Sequence, residues 1–430
     1  MNKKINMFLF DIHTYFLLTI SIIIVLQFNL LGKIGLAIYG VLILYSFTFF
    51  CINLQKKPIY SGFIFYIAIF YYLYFFFAVC INGSVARYGS SILQLFALTI
   101  ISFYLRDSDS IITDINLFAK IMIVASIVMS VFSLLISGLF FYLPEFFQDL
   151  PPRILEKIQQ ITGAPSRING IGGQPNVTAR FCLVGLMFSC YMLSIKPHLR
   201  WIVLSLSNIF LSLFLIFIAT NSRTSMISSI AFLCSYLFFY LFFFNKRKKE
   251  KLIIILSIIL VIVFVFLAAF FSSNSFRSFI LNHVLRISSL STGTGRLSIY
   301  KTAFEMGKGN RLFGISCFDL MNTINDPNVH AHNIFLELLT FSGVPGLILF
   351  SFYFFYTIYV SIKDFFHPNN THQTKKLICF FICFFIGYFV YGIPEPAGVN
   401  SMIMLSVFAQ LFFAYSHIIN YNLQLHQDIS

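Results

Sequence analysis

The sequence predicts an all-α, polytopic membrane protein with about twelve transmembrane helices, and three observations carry that prediction. Hydrophobic residues fill 58% of the 430 positions and charged residues only 10%, a balance foreign to soluble domains. The apolar residues form continuous stretches near the roughly 20 residues that cross a bilayer as a helix. They do not alternate as barrel strands do, and only helices or closed barrels satisfy their backbone in lipid.

In chain order the expected spans lie near 13–31, 34–53, 60–82, 90–105, 116–142, 177–195, 201–220, 224–244, 252–271, 334–361, 377–393 and 400–418. The fourth and eleventh are short. Met1-Asn2-Lys3-Lys4 precedes the first span with no small-residue cleavage site, so that span is expected to be retained. Basic clusters test the count. Lys56-Lys57, Arg106, Lys196 with Arg200, Lys246-Arg247-Lys248-Lys249 with Lys251, and Lys363 with Lys375-Lys376 all fall on one side. That side is then cytoplasmic, together with both termini. The chain reads as one membrane domain, 1–430, with two long outside segments, 143–176 and 272–333.

Composition also excludes some function classes. The formal charge of +14 is scattered through loops and does not indicate a nucleic-acid partner. The 57 Phe residues express apolar bias. Seven of the eight cysteines lie in or beside apolar spans and only Cys317 in a polar segment, so no disulfide framework or CxxC zinc site is expected. The spans form no six-plus-six repeat of the kind that marks many transporters.

The chemistry is expected where the apolar pattern breaks. Ionisable groups at a membrane boundary are costly to strand. The 272–333 segment contains Gly293-Thr294-Gly295 followed by Arg296, and glycine amides can nest an anion. From Arg296 to Met306 a short amphipathic helix is predicted, with Leu297, Tyr300 and Phe304 on one face. Asp326-Pro327-Asn328 reads as a turn. His332, in Ala331-His332-Asn333, stands just before the next apolar helix. Its imidazole suits a general base for a hydroxyl, and Asn333 is placed to cap the helix starting at Ile334. The bland alternative for His332 is a polar residue at a helix mouth. His330 and His332 would not share a helix face, so no metal site is expected.

Arg223, in Asn221-Ser222-Arg223-Thr224-Ser225, lies in a short outside hairpin. A guanidinium there can grip phosphate oxygens with its fork; the alternative is a snorkelling helix anchor. The other long segment holds Arg167 and Gly170-Ile171-Gly172-Gly173-Gln174-Pro175-Asn176. No strand precedes these glycines, so they are not a dinucleotide fingerprint. Arg180, one turn into the following helix, can face a cavity, and Arg87, in the short loop before the fourth span, is a further anion contact. Asp107-Ser108-Asp109 and the sequon Asn176-Val177-Thr178 are read as coincidences.

The motifs occur in a recognisable order: Gly173-Gln174-Pro175-Asn176, Ser222-Arg223, Gly295-Arg296-Leu297, Leu312-Phe313-Gly314, His332-Asn333-Ile334-Phe335-Leu336, then Ser342-Gly343-Val344-Pro345-Gly346. This set resembles the bacterial O-antigen polymerase and O-antigen ligase superfamily. One glycine that often follows the Leu-Phe-Gly motif in such proteins is absent here. The resemblance implies an inverting, metal-independent glycosyltransferase of the inner membrane, working on the periplasmic face without a cofactor. Its donor would be a glycan on undecaprenyl diphosphate. Its acceptor would be another lipid-linked repeat unit for a polymerase, or the lipopolysaccharide core for a ligase, and the polymerase is preferred. By this resemblance Arg223 and Arg296 hold the diphosphate and His332 serves the acceptor; from their places in the sequence, Arg87, Arg167, Arg180, Asn176 and Asn333 are expected to complete substrate binding. A polysaccharide or lipid transporter is the alternative from another class.

Overall fold

In the computed structural model, residues 60, 62–103, 107–147, 150–163, 167–170, 173–195, 197–244, 272–273, 296–325, 331–395 and 404–429 are described. The expected spans at 13–31, 34–53 and 252–271 lie outside these residues, as do Gly293-Thr294-Gly295, the Asp326-Pro327-Asn328 turn and His330.

All the other expected spans are helices. They are α1 (Phe63–Ile81), α2 (Val85–Ser102), α3 (Ser108–Tyr142), α5 (Pro175–Ser194), α6 (Leu199–Phe214), α7 (Arg223–Phe243), α10 (Ile334–Phe366), α11 (His372–Gly392) and α12 (Met404–Ile429). Among the described residues, seven helices are long and apolar enough to cross a membrane. The eleventh expected span, short in the sequence, is a helix from His372 and belongs to the seven; α2 and α12 do not. The two long outside segments contain helices of their own. The first carries α4 (Pro152–Thr162), and the second carries α8 (Arg296–Gly309) and α9 (Cys317–Ile324).

Local chemistry sets the ends. Asp107 opens α3 by accepting from the Ser110 amide at 2.7 Å, which gives the Asp107-Ser108-Asp109 stretch a structural purpose. Pro152 and Pro175 stand in the first turns of α4 and α5, where no N–H is missed. Thr371 caps α11 through the Thr374 amide.

The bundle is organised around α5 and α11. In their most apolar windows 83% and 72% of residues are buried, against 28% for α6 with its π-turn continuation. α12 adds an unbroken buried run from Leu405 to Ile419. Peripheral helices have two apolar faces. On α1, Phe63, Tyr66, Phe70, Leu73 and Phe77 form an exposed stripe at three- and four-residue spacing, while Ile64, Ala68, Tyr71 and Phe75 are buried. A helix between lipid and protein needs both stripes apolar. Small residues let the helices meet closely. A Cβ on Gly185 would lie 2.3 Å from Ser126 Oγ, and Ser228 on α7 donates to the Gly387 carbonyl of α11 at 2.6 Å.

α10 is broken near the end of its first third. Gly343 has φ +68° and ψ −171°, and Pro345 follows. In an unbroken helix the Val344 amide would bond Thr340 O. Here it donates to Arg311 O at 2.7 Å, and Thr340 O accepts from the Ile315 amide at 2.6 Å. Pro345 has no N–H for Phe341 O; Asn82 Nδ2, at the end of α1, donates to that carbonyl at 3.0 Å and to Phe313 O at 3.0 Å. The Leu312-Phe313-Gly314 motif is therefore the strip that repairs the break. A Cβ on Gly343 would meet Leu312 O at 2.2 Å, and one on Gly314 would meet Thr340 O at 2.3 Å. Even without the further glycine, the turn closes.

The predicted face of α8 needs correction. Phe304 is 47% exposed, whereas Ala303 is fully buried and Gly307 packs on Leu339 and Thr340 of α10. The helix presents its small residues to α10 because the close crossing excludes larger ones.

Candidate functional site

The site is built from the N-terminus of α10. Asn333 accepts from the amides of Phe335 at 2.9 Å and Leu336 at 3.0 Å, so it is the expected cap. Its amide nitrogen also donates to Ile393 O at 2.7 Å, fastening the cap to the end of α11. Buried Glu337, in the first turn, accepts from the Ala331 amide at 3.0 Å and from Tyr88 Oη of α2 at 2.8 Å. Tyr300 of α8 donates to His332 O at 2.9 Å. Four elements thus fix the backbone of His332, which is held at φ +48°. A left-handed backbone at a non-glycine residue costs about 1–2 kcal/mol and persists only where the surroundings over-determine it.

The His332 side chain faces a carboxylate that the motif reading missed. Glu395 Oε2 lies 4.0 Å from His332 Nδ1, and both side chains are largely buried, at 13% and 28% exposure. Glu395 Oε1 accepts from Asn176 Nδ2 at 3.2 Å. Asn176 Oδ1 accepts from Arg167 at 2.9 Å, and Arg167 Nε donates to Thr220 O at 2.9 Å. One chain of polar contacts therefore runs from the α6–α7 hairpin through Arg167, Asn176 and Glu395 to His332. The sequence held a signal for Glu395: it is the lone acidic residue between Asp364 and Asp428, set between Pro394 and Pro396 just past an apolar span.

Arg223 begins α7, three residues after Thr220. The hairpin before it is tightly shaped. A π-turn runs from Leu215 to Ala219, Thr220 Oγ1 and its amide both bond Leu215 O, and Asn221 has φ +48°. Single π-turns in α-helices often accompany functional sites. The Ile168 amide donates to Ala219 O at 2.9 Å, so the Arg167 segment docks on this same hairpin. Arg180 lies one turn along α5 from Asn176. Its guanidinium stands 5.7 Å from the ring centroid of Tyr391, one turn before Glu395, and its buried Nε has no partner among the described residues. Arg296 opens α8 one turn before Tyr300.

The structure thus brings Arg167, Asn176, His332 and Asn333 into one connected group, with Arg180 and Arg223 on the elements that bear it. Arg87 is elsewhere. It belongs to α2 and not to a loop, and it points to α9, where Nη1 meets Met321 Sδ at 3.3 Å. Near it the Cys317 thiol is pushed up from its ordinary value by burial, which leaves the sulfur protonated and unreactive. Among the described residues no group of three or more His, Cys, Asp or Glu is arranged to hold a metal ion.

A histidine beside a carboxylate, with arginines on the neighbouring helix ends, can accept a proton and balance an anionic group in one place. Residues 208–351 match the family model described as O-antigen ligase. No curated protein matches the chain. The matched region runs from α6 into α10 and includes Arg223, Arg296 and His332, while Arg167, Asn176, Arg180 and Glu395 lie outside it. The match covers about a third of the chain, on a bundle of membrane-length apolar helices, and supports the O-antigen ligase and polymerase superfamily.

Proposed function

We propose that the protein is a glycosyltransferase that moves a glycan from undecaprenyl diphosphate to the hydroxyl of another lipid-linked repeat unit, on the periplasmic face of the bacterial inner membrane. The observation that carries this reading is the placement of His332 against Glu395, which Asn176 and Arg167 tie to α5, the helix of Arg180, and to the hairpin that leads into Arg223.

The acceptor hydroxyl oxygen attacks the anomeric carbon of the donor sugar as the bond from that carbon to the diphosphate oxygen breaks. The bonding pair leaves on the diphosphate. Arg223 and Arg296 bind it, with Arg180 adjacent, and such preorganised cations stabilise charge as it develops. The hydroxyl proton passes to His332 Nε2, because Nδ1 faces Glu395. Glu395 stabilises the imidazolium that forms, and Asn176 and Arg167 hold Glu395 in position. A single displacement inverts the anomeric centre. The step calls on neither metal nor nucleotide, since the leaving group is already a diphosphate.

A second reading has support of its own. The matched family model is described as O-antigen ligase, and a ligase would use the same donor chemistry with the lipopolysaccharide core as acceptor. The test of the common reading is transfer by the purified full chain from an undecaprenyl-diphosphate-linked glycan in the presence of chelator. Release of undecaprenyl diphosphate with formation of a longer glycan is expected. No release with either type of acceptor would overturn it.

A further inference from the structure

Beside the repaired break in α10 lie two adjoining cavities that the transfer step above does not use. One, of about 540 Å³, is lined by Phe304, Leu339, Val344 and Pro345, with Lys308 and Arg311 among its walls. The other, of about 610 Å³, is polar on much of its surface and includes Asn82, Asn310, Ser316 and Asp319. Arg311 and Leu312 belong to both. An apolar groove and a polar cavity therefore meet at a cation, with a second cation, Lys308, three residues away. Lys308 and Arg311 are both exposed.

The backbone of Arg311 is fixed. Its carbonyl holds the Val344 amide, and the strip that follows it is pinned by Tyr74, Asn82 and Thr340. The groove is made by α8 and α10, the two helices that also hold His332 through Tyr300 and Asn333. At 1.5 Å per residue, Leu339 lies about 8 Å along α10 from Ile334, its first residue.

We propose that this junction binds the acceptor, a sugar carried on a lipid phosphate. The hydrocarbon chain lies in the apolar groove, the phosphate meets Arg311 and Lys308, and the sugar extends into the polar cavity. There Asp319, Asn310 and Ser316 offer hydrogen bonds to hydroxyls. The order apolar, cationic, polar matches the order lipid, phosphate, sugar. Charge complementarity selects an anionic amphiphile over a zwitterionic one, and the polar cavity selects one that bears a sugar. The name acceptor rests on the proposed transfer; the ligand chemistry rests on the cavities alone.

The test uses the full-length chain in lipid nanodiscs and, as probe, a polyprenyl-phosphate-linked sugar. Lys308→Gln/Arg311→Gln should weaken probe binding at least tenfold, and Leu339→Trp, which fills the groove, should do the same. In transfer assays the double variant should raise the KM for acceptor with kcat and the KM for donor little changed. Unaltered probe binding in both variants would overturn the proposal. So would binding of phosphatidylglycerol as tight as that of the probe, which would mark a general lipid contact. Wild type that binds the probe but transfers nothing would sink the transfer reading and leave this site standing as an anionic glycolipid site.

Discussion

Glu395 Oε2 stands 4.0 Å from His332 Nδ1, while the other oxygen of the same carboxylate accepts a hydrogen bond from Asn176. The imidazole is thus set against a carboxylate that is itself oriented. If His332 takes the acceptor proton, Glu395 positions the ring and stabilises its charged form. His332→Ala should lower kcat by about 10²–10⁴-fold, the usual worth of a general base, with donor binding intact. Glu395→Gln keeps the shape and loses the charge. The pair is an ion contact at 4.0 Å and not a hydrogen bond, so kcat should fall, but by less than in His332→Ala. Steady-state kinetics on both variants decides the point, and a Glu395→Gln enzyme with wild-type kcat would remove Glu395 from the mechanism.

Arg223 and Arg296 each begin a helix, α7 and α8, at the end of the bundle that bears His332. If both hold the departing diphosphate, each Arg→Ala variant should accumulate normally and lose transfer. Arg→Lys should restore only part of it, because lysine keeps the charge and lacks the bidentate fork. The measurement is surface glycan in cells together with protein level by immunoblot. Wild-type glycan in both alanine variants would locate the anion site elsewhere.

The break in α10 is expected to be a requirement for folding. Gly343→Ala places a Cβ 2.2 Å from Leu312 O at a positive φ, so the strip and the helix cannot both keep their places. Asn82→Leu removes the donor to Phe341 O and Phe313 O and leaves two carbonyls short of a partner, at about 1–3 kcal/mol for a buried unsatisfied group. Gly343→Ala should fail to accumulate, and Asn82→Leu should lower the unfolding temperature of the detergent-solubilised protein. A Gly343→Ala variant with wild-type thermal stability would contradict the account of the repair.

These positions also show how far the sequence could be read. Apolar length announced the spans, because a lipid-exposed helix has no choice about composition. The termini of α5, α7, α8 and α10 were visible as Pro175, Arg223, Arg296 and Asn333, since capping and charge mark the places where a helix meets water. The site partners were harder to see. Glu395 meets Asn176 and His332 only through the folding of three distant segments, and no local periodicity encodes that. Arg87 was read as a loop residue because α2 starts at Val85, earlier than hydropathy suggested. The Leu312-Phe313-Gly314 strip was legible as a motif, but its purpose depends on an exchange of hydrogen bonds with Thr340 and Val344 that spacing does not reveal.

The side of the membrane is a further prediction. Every dense basic cluster falls on one side under the twelve-span count, and that side should be the cytoplasm. Alkaline phosphatase and fluorescent-protein fusions after Lys249 and after Ser275 should report opposite compartments, with Ser275 outside. The same compartment for both would remove the span expected at 252–271 and turn the His332 site to the other face.

The last prediction separates the two transfer reactions that share this chemistry. A polymerase extends one lipid-linked repeat with another, so its loss leaves ligation working on the unpolymerised unit. Deletion should then give lipopolysaccharide core bearing at most one repeat. A ligase acts after the polymer is complete, so its loss should give bare core while long glycan accumulates on undecaprenyl diphosphate. The acceptor junction at Lys308 and Arg311 bears on the same choice. A polymerase acceptor presents one repeat unit on one lipid, which suits a single groove meeting one polar cavity at one pair of cations. An electrophoretic profile of extracted lipopolysaccharide, with a blot of the lipid-linked pool, reads the outcome directly. Core with a single repeat and no accumulated polymer is the expected result. Bare core with accumulated polymer would make the protein a ligase and leave the roles of His332, Arg223 and Arg296 as they are.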